Sequence, residues 1–303
     1  MNKTKNEPPR KMLGGYAKYY FPAPSYWPII GSIALFFMFI GLANWIHKNN
    51  IGPYLFFTGI FILLFMLFGW FGLLIREGRA GLLHNPQMDR SFRLGMIWFI
   101  FTEVMFFAAF FSALFYARFY AVPILGGGIA HDISTHQLLW PNFHATWPLL
   151  NTPSAQFHGA QSAMEAWGIP AINTFILLSS AVTITIAHWG LLKRNRAQVI
   201  FFQALTIFLG IIFLMMQAHE YWTAYAIKSL RLSSGIYGAT FFILTGFHAL
   251  HVTVGIIALS VILWRLAKGD FNSQNHFGFE AVSWYWHFVD VVWLALFIIV
   301  YWL

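Results

Sequence analysis

The sequence predicts an all-α integral membrane protein of seven transmembrane helices, and three observations carry that reading. Of its 303 residues 59% are hydrophobic and only 9% are charged, where a soluble domain carries roughly 25% charged residues. The apolar residues fall in seven runs, each long enough for a helix to cross about 30 Å of hydrocarbon at about 1.5 Å per residue. No run shows the apolar–polar alternation of a membrane barrel strand.

The elements follow in order along the chain. Residues 1–28 are polar and broken by proline, and they lack an apolar h-region, so they read as an N-terminal tail rather than a cleaved signal. Spans one and two fall at 29–46 and 54–75. The other five occupy 94–118, 171–192, 199–221, 235–264 and 277–302, which groups 94–302 as helices three to seven. A connection at 119–170 interrupts that group, and loops of this length inside a compact fold are uncommon. It holds Gly126, Gly127 and Gly128 and four histidines, His131, His136, His144 and His158. The glycines are not followed by the Lys-Ser/Thr of a phosphate loop, and the histidines read as surface residues rather than a metal site.

Charge sets the orientation. With the tail inside, 14 of the 18 Lys and Arg residues lie on the inner side, and only Lys48, Arg118, Lys228 and Arg231 lie outside. This positive-inside asymmetry predicts a cytoplasmic N-terminus and a C-terminus on the far side. The same placement explains the net charge of +8 as topology, without nucleic acid as a partner. The absence of cysteine excludes disulfides, thiolate-bound zinc, iron–sulfur clusters and c-type haem attachment.

Polar groups inside the spans are the candidate functional residues, because ionisable side chains in hydrocarbon are costly and are usually paired or functional. Glu103 lies about ten residues inward from Arg93, near mid-membrane, where no Lys or Arg reaches the same depth. Its ionic partner is a histidine or nothing. It reads as a proton-exchangeable carboxyl or a lipid-headgroup or water contact, against a protonated acid hydrogen-bonded to a neighbouring helix. His248 and His251 are three apart on span six, and His287 and Asp290 are three apart on span seven. A His–Asp network between these neighbouring helices would satisfy all four groups, and Asp290→Leu would then strand a histidine. Glu280 falls near the inner edge. The deep histidines of the last four spans, with His188 and His219 near opposite edges, are too few for haem or copper ligation, so no metal is expected in this chain. Trp70, Arg76, Glu77 and His84 at the cytoplasmic end of the second span, with Arg265 and Lys268 at that of the sixth, sit where basic side chains hold anionic phospholipid headgroups or simply snorkel.

FGFEAVSWYWHFVDVVW at 277–293, GIYGATFFILTGFHALHVTVG at 235–255, IREG at 75–78 and MIWFIFTEVMFF at 96–107 closely resemble subunit III of haem–copper cytochrome c oxidases. SYWPIIGS at 25–32, INTFILLSSAVTITIAH at 172–188 and MQAHEYWTAY at 216–225 extend the likeness over nearly the whole chain. The resemblance implies helices 1–2 splayed from a bundle of helices 3–7, with a lipid-filled V-shaped cleft. It implies a non-redox accessory subunit of a proton-pumping oxidase in aerobic respiration. Haem and copper would belong to partner subunits I and II, and this chain would pack on subunit I, supporting its proton uptake and stability. By position, Glu103 matches the family's reactive membrane carboxyl. Trp70, Arg76, Glu77, His84, Arg265 and Lys268 match lipid-facing positions, and His248, His251, Glu280, His287 and Asp290 match signature residues of the last two helices. The seven spans with a full N-terminal pair argue against the five-helix quinol-oxidase form and point to a bacterial cytochrome c-using form in the cytoplasmic (inner) membrane. The 119–170 connection is longer than in mitochondrial-type members, so the resemblance assigns it no role. The alternative is a stand-alone transporter or proton channel built on Glu103 and the His/Asp groups.

Overall fold

The computed structural model describes residues 24–81, 86–128, 133–154 and 159–303. Most of the N-terminal tail, together with His84, His131 and His158, lies outside the described residues. The regular structure within them is helical throughout. Helix α1 spans Trp27–Ile46, α2 Ile51–Arg79 and α3 Pro86–Tyr116; α3 runs through a π-helical turn, Ala117–Ala121, into the short α4, Val122–Leu125. Then follow α5 (Ile133–Leu139), α6 (Ile169–Leu192), α7 (Arg196–Ala226), α8 (Gly235–Lys268) and α9 (Phe277–Leu296), the last ending in a π-helical turn at Phe297–Trp302. Among the described residues seven helical segments are long and apolar enough to cross a membrane, as the sequence predicts.

Several helices outrun their apolar cores, and polar capping residues explain where they stop. Helix α3 begins at Pro86, eight residues before the predicted 94, because proline suits the first helical turn and Asp89 favours the same end. Asn195 caps α7, its side chain accepting from the Gln198 amide, which moves that start ahead of the apolar run. Helix α8 continues through Arg265 to Lys268 and stops at Gly269, whose left-handed φ of 81° closes the C-terminus. Hydropathy alone misses these turns because their residues are polar.

The chain divides into two compact units, residues 1–92 and 93–303. In the first, α1 and α2 form an antiparallel hairpin turned at Lys48, which takes φ 59°. The buried positions of α1 are Gly31, Ala34 and Gly41, and those of α2 are Gly52, Gly59 and Met66. A Cβ on Gly41 would come within 2.3 Å of the Phe56 backbone nitrogen, so the missing side chain is what allows the helices to touch. Large apolar groups such as Phe39, Phe61 and Phe68 point outward, which suits a helix solvated by lipid.

In the second unit α9 is the most enclosed span, with 56% of its apolar window buried against 6% for the span that begins at Pro86. Trp286 and Trp293 are fully enclosed. The Trp286 indole N–H donates to Ser180 Oγ at 2.9 Å, and that of Trp293 donates to Thr174 Oγ1 at 2.9 Å, fastening α9 to α6. Thr183 and Thr206 join α6 to α7 at 2.7 Å. Gln203 donates to the Leu259 carbonyl of α8 at 3.1 Å. The 119–170 connection, expected as an external loop, carries α5 and buries Phe143, Leu149, Ala160 and Ala166 in the core of this unit. It is held by Lys228 Nζ donating to the Ala163 carbonyl at 2.8 Å and by the Met164 amide donating to the Tyr237 hydroxyl at 3.1 Å. His136 Nδ1 donates to the Leu125 carbonyl at 3.0 Å, a structural role at the surface.

Candidate functional site

Glu103 on α3 meets His251 on α8, with Oε2 and Nε2 2.8 Å apart. The other ring nitrogen, Nδ1, lies 2.6 Å from the Phe247 carbonyl oxygen. A carbonyl can only accept, so Nδ1 carries a hydrogen. The contact between Nε2 and Oε2 therefore shares a single proton, held either as imidazolium and carboxylate or as neutral imidazole and acid. The Tyr285 hydroxyl donates to the His251 carbonyl at 3.2 Å. Phe106, Phe107 and Phe288 pack around the imidazole. The side chains keep 13% and 23% of their exposure, which places the pair at the face of the bundle rather than at its centre. Glu103 thus meets a histidine, one of the two outcomes the sequence left open, drawn from the pair expected to serve Asp290.

The expected His–Asp network between spans six and seven does not form. His248 is fully buried between Phe213 and Trp293, and its Nε2 donates to the Val289 carbonyl at 3.2 Å. His287 Nδ1 stands 3.7 Å from Asp290 Oδ2 within one helix, too far for a hydrogen bond. Both Asp290 oxygens lack a hydrogen-bond partner among the described residues. Residues three apart on a helix differ by about 60° in direction. That divergence turns His248 toward α9 and leaves His251 facing α3, so one helix serves two neighbours.

Glu280 also falls outside such a network. It opens α9 beside Arg93 of α3, whose Nη1 is 2.6 Å from Oε2, and beside His276 and His188, whose Nε2 atoms are 3.1 and 3.7 Å from Oε1. Arg93 also lies over the rings of Phe277 and Trp284. Three helix ends converge on this one carboxylate. Of the phospholipid-type residues, Trp70, Arg76 and Glu77 occupy the second half of α2, with Trp70 37% exposed. Arg265 is engaged by Asp270 at 3.1 Å and stacks on Phe271 at 4.4 Å, while Lys268 lies over Trp264 at 4.2 Å.

One buried acid escaped the sequence reading. Glu220 on α7 is 1% exposed and lies beside Gln217 and the Tyr301 hydroxyl. The signal is legible, since an acid within an apolar run is unusual. Arg93 and His276 were also not singled out, because each borders an apolar run, where charge is ordinary.

The chain matches the family model described as cytochrome c oxidase subunit III over residues 17–153 and 133–303. It is 40% identical over 284 residues to cytochrome c oxidase subunit 3 of Formosania lacustris, covering 94% of this chain and 96% of that protein. The protein of the same name from Cyprinus carpio is likewise 40% identical, and that from Oryctolagus cuniculus 39%, with the same coverage.

Proposed function

The chain belongs to the cytochrome c oxidase subunit III family, and from that premise we propose that it serves as the non-redox accessory subunit of a proton-pumping oxidase. Membership makes it a multi-pass subunit of an oxidoreductase complex. The finer role is packing against subunit I, alongside subunit II, and supporting the proton uptake and stability of subunit I. Haem and copper are assigned to those partners. The observation that carries the proton-related part is the Glu103–His251 pair, one proton shared across 2.8 Å at the face of the bundle.

Structural phospholipid is the proposed ligand. Trp70, Arg76 and Glu77 serve it on the first unit, and Lys268 and Arg265 on the second, with Arg265 less available because Asp270 already holds it. His84 completes the set by sequence position. The Lys and Arg distribution supports a cytoplasmic N-terminus. The ground for a bacterial cytoplasmic membrane is the seven spans with their full N-terminal pair; the relatives named above come from animals and lend it none.

Purification of the tagged chain in mild detergent tests the reading. Co-migration with haem-bearing subunits and with phospholipid is the expected result. A Soret band intrinsic to the isolated chain, or proton flux through the lone chain in liposomes, overturns it, the latter in favour of a self-contained proton channel.

A further inference from the structure

The cluster around Glu280 has a chemistry that an accessory scaffold does not require. His276 immediately precedes α9, and Glu280 stands four residues later in its first turn, so the two side chains share one helix face. His188 enters from the last turns of α6. One ligand atom from each of the three lies within 4.8 Å of the others. Four donors placed tetrahedrally around a cation at about 2.0–2.1 Å stand ~3.3 Å from one another. The two Nε2–Oε1 separations, 3.1 and 3.7 Å, already bracket that spacing.

The rest of the surroundings fit the same use. Nε2 of His188 is buried and makes no hydrogen bond among the described residues, which is uncommon for a buried polar atom. Arg93 occupies Oε2 of the carboxylate, leaving Oε1 turned toward the two imidazoles. Outer contacts of this kind orient metal-binding side chains. His276 is buried, but the His188 and Glu280 side chains keep 28% and 14% of their exposure, so a cation can enter past them from the water at the Lys- and Arg-rich end of the bundle.

We propose that His188, His276 and Glu280 form a binding site for a divalent transition-metal cation of the zinc class. Two imidazoles and one carboxylate suit zinc and its neighbours, whereas calcium and magnesium take oxygen ligands. Three protein ligands leave a fourth position for water. The site revises the expectation that this chain carries no metal, and it stands independently of the accessory role.

The test uses the full chain purified in mild detergent with the subunits that accompany it, stripped by chelator and titrated with Zn2+ alone. The wild type is expected to hold one more equivalent of Zn2+ per chain than His276→Ala. His276→Cys, which introduces a thiolate into a chain without cysteine, is expected to regain it. Equal uptake by wild type and His276→Ala overturns the site. Should the variants fail to assemble, the wild type alone decides. Zn2+ is expected to protect His188 and His276 together from carbethoxylation by diethylpyrocarbonate, read by mass spectrometry. Unchanged labelling at both histidines overturns the proposal.

Discussion

Between Gly41 and Phe56 the α1–α2 hairpin brings two backbones together with no side chain in the way, whereas between Thr183 and Thr206 the bundle joins two helices through a hydrogen bond of 2.7 Å. In lipid, apolar burial does little to drive one helix against another, so packing, small residues and interhelical hydrogen bonds carry the association. The hairpin uses the first two and the bundle adds the third. Polar side chains of the bundle such as Asn173, Gln203, Gln217, Glu220 and Asp290 are enclosed, while the buried positions of α1 and α2 are glycine, alanine and methionine. The bundle therefore holds groups capable of chemistry, and the hairpin presents an outer surface of Phe and Leu to its surroundings.

The largest effect is expected in the hairpin. Gly41→Leu forces side-chain atoms onto Phe56 backbone 2.3 to 2.7 Å from its Cβ, and such overpacking costs roughly 1–3 kcal/mol or more. The accumulated yield of folded protein in membranes should fall sharply. Gly72→Leu, where nothing lies within 4 Å of a Cβ, should leave yield unchanged. Comparable yields for the two variants would remove close approach as the hairpin's main support.

A smaller loss is expected in the bundle. His251→Leu deprives Glu103 of its partner and should lower stability in detergent by about 0.6–1.7 kcal/mol, the range of interhelical hydrogen bonds in lipid. Adding Glu103→Leu should recover part of it, and thermal melts of the four proteins of this double-mutant cycle give the coupling. Additive effects would show that the 2.8 Å contact contributes nothing to the bundle.

Glu103→Gln comes next, because an amide keeps a hydrogen bond to Nε2 while losing the exchangeable proton. Stability should change by less than ~0.5 kcal/mol, and the assembled oxidase should keep its oxygen consumption. A collapse of turnover in a fully assembled complex would show that the carboxyl takes part in the redox cycle itself. The smallest effect belongs to Asp290→Asn. With no hydrogen bond to lose among the described residues, it should move the melting midpoint by no more than the equivalent of about 0.5 kcal/mol. A large destabilisation would mean that the carboxylate fastens the bundle through a contact outside the described residues.

The number and order of the spans were legible because hydrocarbon leaves few options. A chain must satisfy its backbone internally while crossing, so an apolar run of about 20 residues reads as a helix whatever surrounds it. The same cost made Glu103, Asp290 and the histidines stand out one by one, and the absence of Lys and Arg at that depth left histidine as the only ionic partner for Glu103. Which histidine was not legible. Spacing says that His248 and His251 share a helix, but the roughly 60° between their side chains decides nothing until α3 and α9 are set around α8. The grouping of His188, His276 and Glu280 was still less visible, since His188 lies 88 or more residues before the other two and nothing in the spacing brings the end of α6 to the start of α9. Composition fixes what must cross the membrane and which groups need partners. Only the packing of the helices, which sets what each side chain meets as the helix turns by about 100° per residue, decides who those partners are.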